Sequence, residues 1–356
     1  VTPFPTSPEP FRIESVFSPR IWGVRSLAPL FPAKTNLAEP LGEAWLTGLD
    51  CKIATGPFAG KTLGAAWREM PAEWRGTKLA STANFPILVK FIFPADKLSI
   101  QVHPDDRYAS VHEKAAGGRG KTEMWYVVSA EPGARLLAGL KSGVTKETFL
   151  EALAARTLED VFESYEVRAG DTFFIPAGTP HTIGPKMVIC EIQEYSDITY
   201  RVYDYDRLDA HGKPRELHIE KALEVIQFGK AHQSKIPPLS LSAKGQHRRL
   251  LCACQYFAAE WFQFSERREF PADPEHFQLL VVLSGRGNLG WPAGAAHYNA
   301  GECWMLPASL DLAALHPLQP TTVLRAYVPD IAVLPKFLHH AGLTGSAISQ
   351  SVFGET

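Results

Sequence analysis

The chain lacks an excess of charge, a cysteine framework and a long apolar run, and each absence removes a class of explanation. Its 36 lysines and arginines nearly balance 38 aspartates and glutamates, for a formal charge of −2. That balance gives no reason to expect a nucleic-acid or membrane partner, so any anion must be recognised locally. Five cysteines, at 51, 190, 252, 254 and 303, form no CxxC pair and no disulfide-like framework, as in a reducing compartment. Cys252 and Cys254 alternate with Ala253 in a strand-like run and are expected to pack rather than bind metal. No apolar run approaches the roughly 20 residues needed to cross a bilayer, and the first residues carry no signal-peptide pattern. A cytoplasmic protein is expected. At 356 residues the chain can build one large or two medium domains.

What is present is mostly strand signal. Aromatic and β-branched runs bounded by Gly, Pro, Asn and Asp recur: 85–93, 123–128, 171–175, 187–192 and 277–283. They predict a mainly β fold in sandwich or barrel form. Helical spacing predicts helices over about 61–74, 146–164 and 219–228. The stretch 230–244 holds Pro237 and Pro238 and few large apolar groups, which places a domain boundary there: residues 1–235, then 236–356. Beyond it, Gly170-x5-Pro176-x-Gly178-x2-His181 returns in weakened form as Gly301-x5-Pro307-x-Ser309-x2-Leu312, and Gln278 takes the place of Glu123. The repeat predicts two similar barrels, the second a structural copy that has lost its ligands.

The first copy carries the chemistry. Gln101 and His103, at i and i+2 on a strand, face the same way and can reach one ion with Glu123 and His181. Oxygen and nitrogen donors without a thiolate suit a divalent metal such as zinc, with a coordination position left open. A lone strand histidine is usually a satisfied core residue. Four such polar groups on neighbouring strands are costly to bury without a cation. His112, His211, His218, His232, His247, His276 and His297 lack such partners and are expected at the surface or in the core. The run from Glu191 to Arg207 should lie at the mouth of the same barrel. Its Arg201 and Arg207, with Lys121, would make a basic rim suited to a phosphorylated substrate. Lys121, close to the metal, can serve in proton transfer.

Ser99-Ile-Gln-Val-His-Pro-Asp-Asp106, Gly120-Lys-Thr-Glu-Met-Trp-Tyr126, Gly170 to His181 and Ser196-Asp-Ile-Thr-Tyr-Arg-Val-Tyr-Asp-Tyr-Asp-Arg207 resemble the type I mannose-6-phosphate isomerases in their short bacterial form. So do Ile21-Trp22-Gly23, Gly42-Glu-Ala-Trp45, Gly56 to Leu63 and Pro214-Arg-Glu-Leu-His218. The resemblance is dense over about the first 230 residues and architectural beyond. It implies a bi-cupin fold, two jelly-roll β-barrels with a few helices, and one Zn2+ held by Gln101, His103, Glu123 and His181. It implies conversion of mannose 6-phosphate to fructose 6-phosphate through a cis-enediol. Arg201 would lie beside the enediol. Lys121, Glu191 and Asp197 are candidates for acid–base roles, and His103 for ring opening. Ser99, Lys90 and Arg207 would line the phosphate side, with Trp22 also binding substrate. Only 57 positions (124 to 180) separate Glu123 from His181, so the helical domain inserted in longer members should be absent. Val24, where the family usually has glycine, and Ile183, where longer members carry tyrosine, leave room for another substrate preference. An isomerase of a related sugar phosphate and a non-catalytic sugar-phosphate-binding cupin remain alternatives; a cupin oxygenase would need a more histidine-rich site. The expected partner is a small sugar phosphate, and the expected state a monomer or weak homo-oligomer.

Overall fold

The computed structural model describes residues 7–209, 212–229, 233–241 and 247–354. His211 and His232 lie outside these residues, as does part of the expected boundary stretch 230–244. The fold is mainly β and bi-cupin: two antiparallel sandwiches of jelly-roll type, each with one seven-stranded sheet. In the first, that sheet runs Lys235–Ile236, Thr172–Ile175, Glu123–Ala130, Met187–Glu194, Ile87–Ile92, Leu41–Trp45, Val16–Val24. A five-stranded sheet faces it, in the order Tyr200–Tyr203, Ile100–Val102, His181–Ile183, Arg135–Leu140, Phe162–Glu166. The second sandwich pairs a seven-stranded sheet centred on Gln278–Ser284 and Thr321–Tyr327 with a four-stranded one. The two sheets of each sandwich are not joined into a closed hydrogen-bonded barrel.

The long apolar runs are explained by what lies on each side of the large sheets. Along Glu123–Ala130, Trp125 and Val127 face the interior of the first sandwich with Phe173, Ile175 and Ile189. Met124 and Tyr126 point the other way, into a core shared by the two sandwiches. Gln278–Ser284 repeats this, with Leu280 and Val282 inward and Leu279, Val281 and Leu283 in the shared core. Strands buried on both faces need no polar alternation. All five cysteines are buried free thiols in the shared core, the packing role expected of Cys252 and Cys254.

Lys235–Ile236 ends the first large sheet and Leu239–Ser240 opens the second, with Pro237 and Pro238 between them. The strand Phe11–Ile13 crosses over. Although it lies in the segment assigned to the first domain, it pairs with Cys303–Leu306 of the second, because Phe11 and Ile13 fill the shared core.

The expected helices are shorter than their periodicity. Residues 61–74 break into Leu63–Glu69 and Ala72–Arg75 at Pro71, which has no N–H to continue the ladder. The helix from Lys146 ends at Ala155, with Arg156 in the left-handed region, and Ser164 belongs to the strand Phe162–Glu166. Leu158 and Phe162 still join Phe149 in one core cluster, so apolar spacing carries across the break. The third helix is Ile219–Val225. Between Glu123 and His181 lie one α-helix, Lys146–Ala155, and a 3-10 turn, Leu158–Val161; there is no inserted helical domain. No helix among the described residues is long and apolar enough to cross a membrane.

Gly76 marks where the sandwiches close on each other. Its φ is +99°, and a Cβ there would sit 2.3 Å from the Glu275 carbonyl oxygen. Thr77 and Lys78 donate backbone hydrogen bonds to Pro274 and Glu275 beside it. Gly76→Ala should therefore cost roughly 2–5 kcal/mol, from strain plus overpacking. Gly143→Ala, at φ +83° with nothing within 4 Å, should cost only about 1–2 kcal/mol of strain. Urea denaturation of both variants checks the difference; equal losses would remove the interface from the explanation.

Candidate active site

At one end of the first sandwich the inward-facing positions change from apolar to charged. Glu123 precedes Trp125 on the same face of its strand, and Glu191 on the neighbouring strand lies opposite Trp125 and Lys90. From the smaller sheet, Gln101 pairs in register with His181 on one side and Arg201 on the other. The registers thus bring together site residues up to 101 positions apart (90 to 191).

His103, Glu123 and His181 are buried, and one donor atom from each lies within 4.8 Å of the others. Each histidine donates from Nδ1 to a backbone carbonyl: His103 to Ile198 at 2.8 Å, His181 to Thr179 at 2.9 Å. That leaves both Nε2 lone pairs facing the cluster. Burial holds both imidazoles below their ordinary pKa, His181 at about 4, so they are neutral at pH 7. Gln101 places its amide 3.3 Å from His181 Nε2, and a half-turn would present its oxygen instead. Lys121 Nζ bridges Glu123 Oε2 at 2.5 Å and His103 Nε2 at 3.0 Å. Glu123 Oε1 is 3.3 Å from His181 Nε2, yet it is buried without a hydrogen-bond partner. An orphaned carboxylate oxygen beside two imidazole lone pairs is a donor set that fits a divalent metal.

Above these groups opens a cavity of about 490 Å³. Trp22, Lys90, Ser99, Gln101, Lys121, Glu191, Asp197 and Arg201 line it, whereas His103, Glu123 and His181 do not. Gln101 and Lys121 touch both the cavity and the buried cluster. Lys90 Nζ lies 3.1 Å from Asp197 and 3.7 Å from Glu191. Burial opposes its charge, but Asp197, Glu43 and Glu191 push its pKa up. Asp197 answers in kind: burial would raise its pKa, and Lys90 then Lys121 hold it low. Glu191 accepts from Trp125 Nε1 at 3.1 Å and lies 4.0 Å from Lys121. Burial, reinforced by the Glu123 carboxylate, raises its pKa above the usual range for a glutamate. Arg201 donates to the Glu216 carbonyl at 2.8 Å, and its buried Nε has no partner.

The expectation for Arg207 is corrected. It does not line the cavity, because its guanidinium is held by Asp204, Asp96 and the Lys97 carbonyl. Arg215 lines the wall instead, gripping Asp204 through Nε and Nη2. His218, expected to be a bystander, lines it too: its Nδ1 accepts from the Arg201 N–H at 3.3 Å, and its own N–H donates to the Arg201 carbonyl at 2.7 Å. Both lie in the Pro214–His218 motif, which was legible in the sequence although their roles were not. Arg20 and Glu43, paired at 2.6 Å across the Val16–Val24 and Leu41–Trp45 strands, complete the rim; Glu43 lies in the Gly42–Trp45 motif, whereas Arg20 lies outside every motif. His112 stacks on Tyr108 at the surface, and His276 is buried beside Asp273.

Comparison with known proteins points the same way. Residues 11–124 match the family described as phosphomannose isomerase type I, catalytic domain. The chain is 34% identical over 304 residues to the probable mannose-6-phosphate isomerase GmuF of Bacillus subtilis, covering 84% of this chain and 93% of that protein. It is 33% identical over 322 residues to mannose-6-phosphate isomerase of Streptococcus mutans, covering 86% and 98%. The fold is similar to the crystal structure of mannose 6-phosphate isomerase from Bacillus subtilis, with a TM-score of 0.81 and 29% identity over 89% of this chain and 99% of that one. A putative mannosephosphate isomerase from Archaeoglobus fulgidus shares the fold alone, at a TM-score of 0.73 and 19% identity over 91% and 99%. Several matches at this identity, each spanning nearly the whole relative, show that the chain belongs to the type I phosphomannose isomerases and is a mannose-6-phosphate isomerase.

Proposed function

We propose that the chain isomerises mannose 6-phosphate and fructose 6-phosphate at this cavity through a cis-enediol, with Zn2+ held by Gln101, His103, Glu123 and His181. The partnerless Glu123 Oε1, beside the neutral His181 imidazole in a cluster with His103 and under an open cavity, is the observation that carries the reading. When bound, zinc supplies Lewis-acid polarisation of the substrate's carbonyl or hydroxyl oxygens. Everything else falls to side chains. The reaction moves a proton between C1 and C2 while negative charge grows on oxygen. Arg201, with an unpaired Nε at the wall, supplies positive charge where that oxyanion develops.

The acid–base work falls to Lys121 and Glu191, 4.0 Å apart at the junction of metal cluster and cavity. A glutamate whose pKa is raised holds its proton more readily than an ordinary carboxylate and so can serve as acid as well as base. Asp197 is second choice, because Lys90 keeps it charged. His103 is unsuited to ring opening: its Nδ1 is spent on Ile198, its Nε2 belongs to the ligand set, and it does not reach the cavity. Lys90, neutralised by two carboxylates, orients Asp197 and Glu191 more than it binds phosphate. On the phosphate side, Arg215 replaces Arg207, since its Nη1 is not used by Asp204, and Ser99 lies on the same cavity lining.

Glu123→Gln should lower the zinc retained after dialysis by roughly tenfold or more, as read by elemental analysis. Retention of one zinc per chain would move the metal elsewhere. Arg201→Ala should lower kcat by roughly 10²–10³ with zinc content unchanged; loss of metal would make Arg201 structural. In a coupled assay of metal-loaded protein, absence of fructose 6-phosphate while another sugar phosphate turns over would refute the substrate.

A further inference from the structure

Lys121 stands at the end of a backbone segment that is held from several sides. The Arg119 carbonyl accepts from Ser196 Oγ at 3.0 Å, and Lys121 N–H donates to the Pro104 carbonyl at 3.0 Å. Two carboxyl groups complete the clamp. Gly120 N–H donates to Asp106 Oδ1 at 2.8 Å, and Thr122 N–H donates to Glu194 Oε1 at 2.6 Å. The N–H of Glu194 returns a bond to the Thr122 carbonyl at 3.1 Å. Gly120 admits no side chain, since a Cβ would lie 2.6 Å from Asp106 N. The two carboxyls, held on Gly120 and Thr122 of one short segment, lie close enough that Asp106 opposes ionisation of the buried Glu194, and a neutral Glu194 can donate its proton to Asp106. Tyr256, from the second sandwich, donates its hydroxyl to Asp106 Oδ2 at 3.0 Å.

We infer that Asp106 and Glu194 form a proton-sharing carboxyl pair that positions Lys121, seating the backbone from Gly120 to Thr122 so that the ammonium reaches Glu123 and Glu191. The inference rests on the acid–base role proposed for Lys121. Neither carboxyl lines the active-site cavity, so the pair acts through Lys121 rather than on substrate.

The protonation follows from the surroundings. Burial raises the Glu194 pKa most, the Asp106 carboxylate adds to it, and the Thr122 N–H only partly offsets both, leaving it at about 8. Among the described residues, the groups that face the pair from the second sandwich are Tyr256, its pKa pushed up by burial, and Cys254, pushed up to about 12; neither is a cation. The unfolded chain releases the Glu194 proton near the ordinary glutamate value of 4.5 and the folded chain near 8. Between those values the unfolded state binds fewer protons, so this group's contribution to stability falls as pH rises and is lost above about 8. Above that pH a charged, buried Glu194 faces the exposed Asp106 carboxylate, and the clamp on Gly120 and Thr122 loosens.

Glu194→Gln keeps an acceptor for Thr122 and a donor for Asp106 but cannot ionise. In the zinc-loaded enzyme, wild-type kcat should fall through one deprotonation near pH 8. Glu194→Gln should keep kcat within about threefold at pH 7 and lose that decline. Glu194→Ala should lower kcat at least tenfold across the range, with KM and zinc content nearly unchanged. The same alkaline decline in Glu194→Gln, or equal losses in the glutamine and alanine variants, would overturn the inference. Carboxyl-carbon NMR, with hydrogen exchange at Gly120 and Thr122, reads the pair without catalysis: Glu194 should titrate near 8 and exchange should accelerate through that pH. Titration near 4.5 overturns the pair even in an active isomerase. The expected titration in a protein inactive on mannose 6-phosphate would instead refute the proposed function and leave the pair standing.

Discussion

The site depends on one electrostatic demand: Glu123 places a carboxylate in the closed end of a sandwich where water does not reach. Such a charge persists only against positive charge and hydrogen-bond donors. Lys121 answers one oxygen, and the other, beside His181, is left without a partner in a donor set that fits a cation. The remaining arrangement follows from keeping Lys121 and those imidazoles in place. Backbone carbonyls of Ile198 and Thr179 fix the ring tautomers, Glu191 and Asp197 balance Lys90, and the Arg201 strand pairs along Gln101.

The second sandwich meets the same position differently. Gln278 pairs with Leu306 as Glu123 pairs with Ile175, and Arg325 lies opposite Leu280 and Glu260 as Glu191 lies opposite Trp125 and Lys90. The acid–base pair across the strands is therefore reversed. Arg325 donates to Gln278 at 3.1 Å and to buried Glu260 at 2.7 Å, so a guanidinium supplies the charge that the first site leaves to a cation. With Leu312 where His181 stands, the copy is internally neutralised. It contributes to the first sandwich through the shared apolar core and through Tyr256 on Asp106.

Much of the fold was legible locally. Period-2 runs and turn residues marked the strands, and the Gly170 and Gly301 motifs marked the duplication, because positive φ at both glycines is a local requirement. Helix lengths were overestimated for a physical reason: Leu158 and Phe162 keep contributing to one core after the helix has stopped, so apolar spacing outlasts the hydrogen-bond ladder. Phe11–Ile13 was misplaced because a three-residue strand carries no signal for which sheet edge it joins.

In the site, the sequence by itself determined the donor types and their strand spacing: Gln101 and His103 two apart, Glu123 at a strand start, and His181 after a proline–glycine turn. Chemical type and local period are properties of neighbouring residues. Only the tertiary structure decided which arginine faces the cavity. Arg201, Arg207 and Arg215 look equivalent along the chain, but Asp204, Asp96 and the Lys97 carbonyl turn Arg207 away and leave Arg201 and Arg215 at the wall. The Asp106–Glu194 pair was likewise invisible. Glu194 is buried and Asp106 exposed beside it, and only the packing of segments 88 residues apart (106 to 194) brings the two carboxyls to the same stretch of backbone.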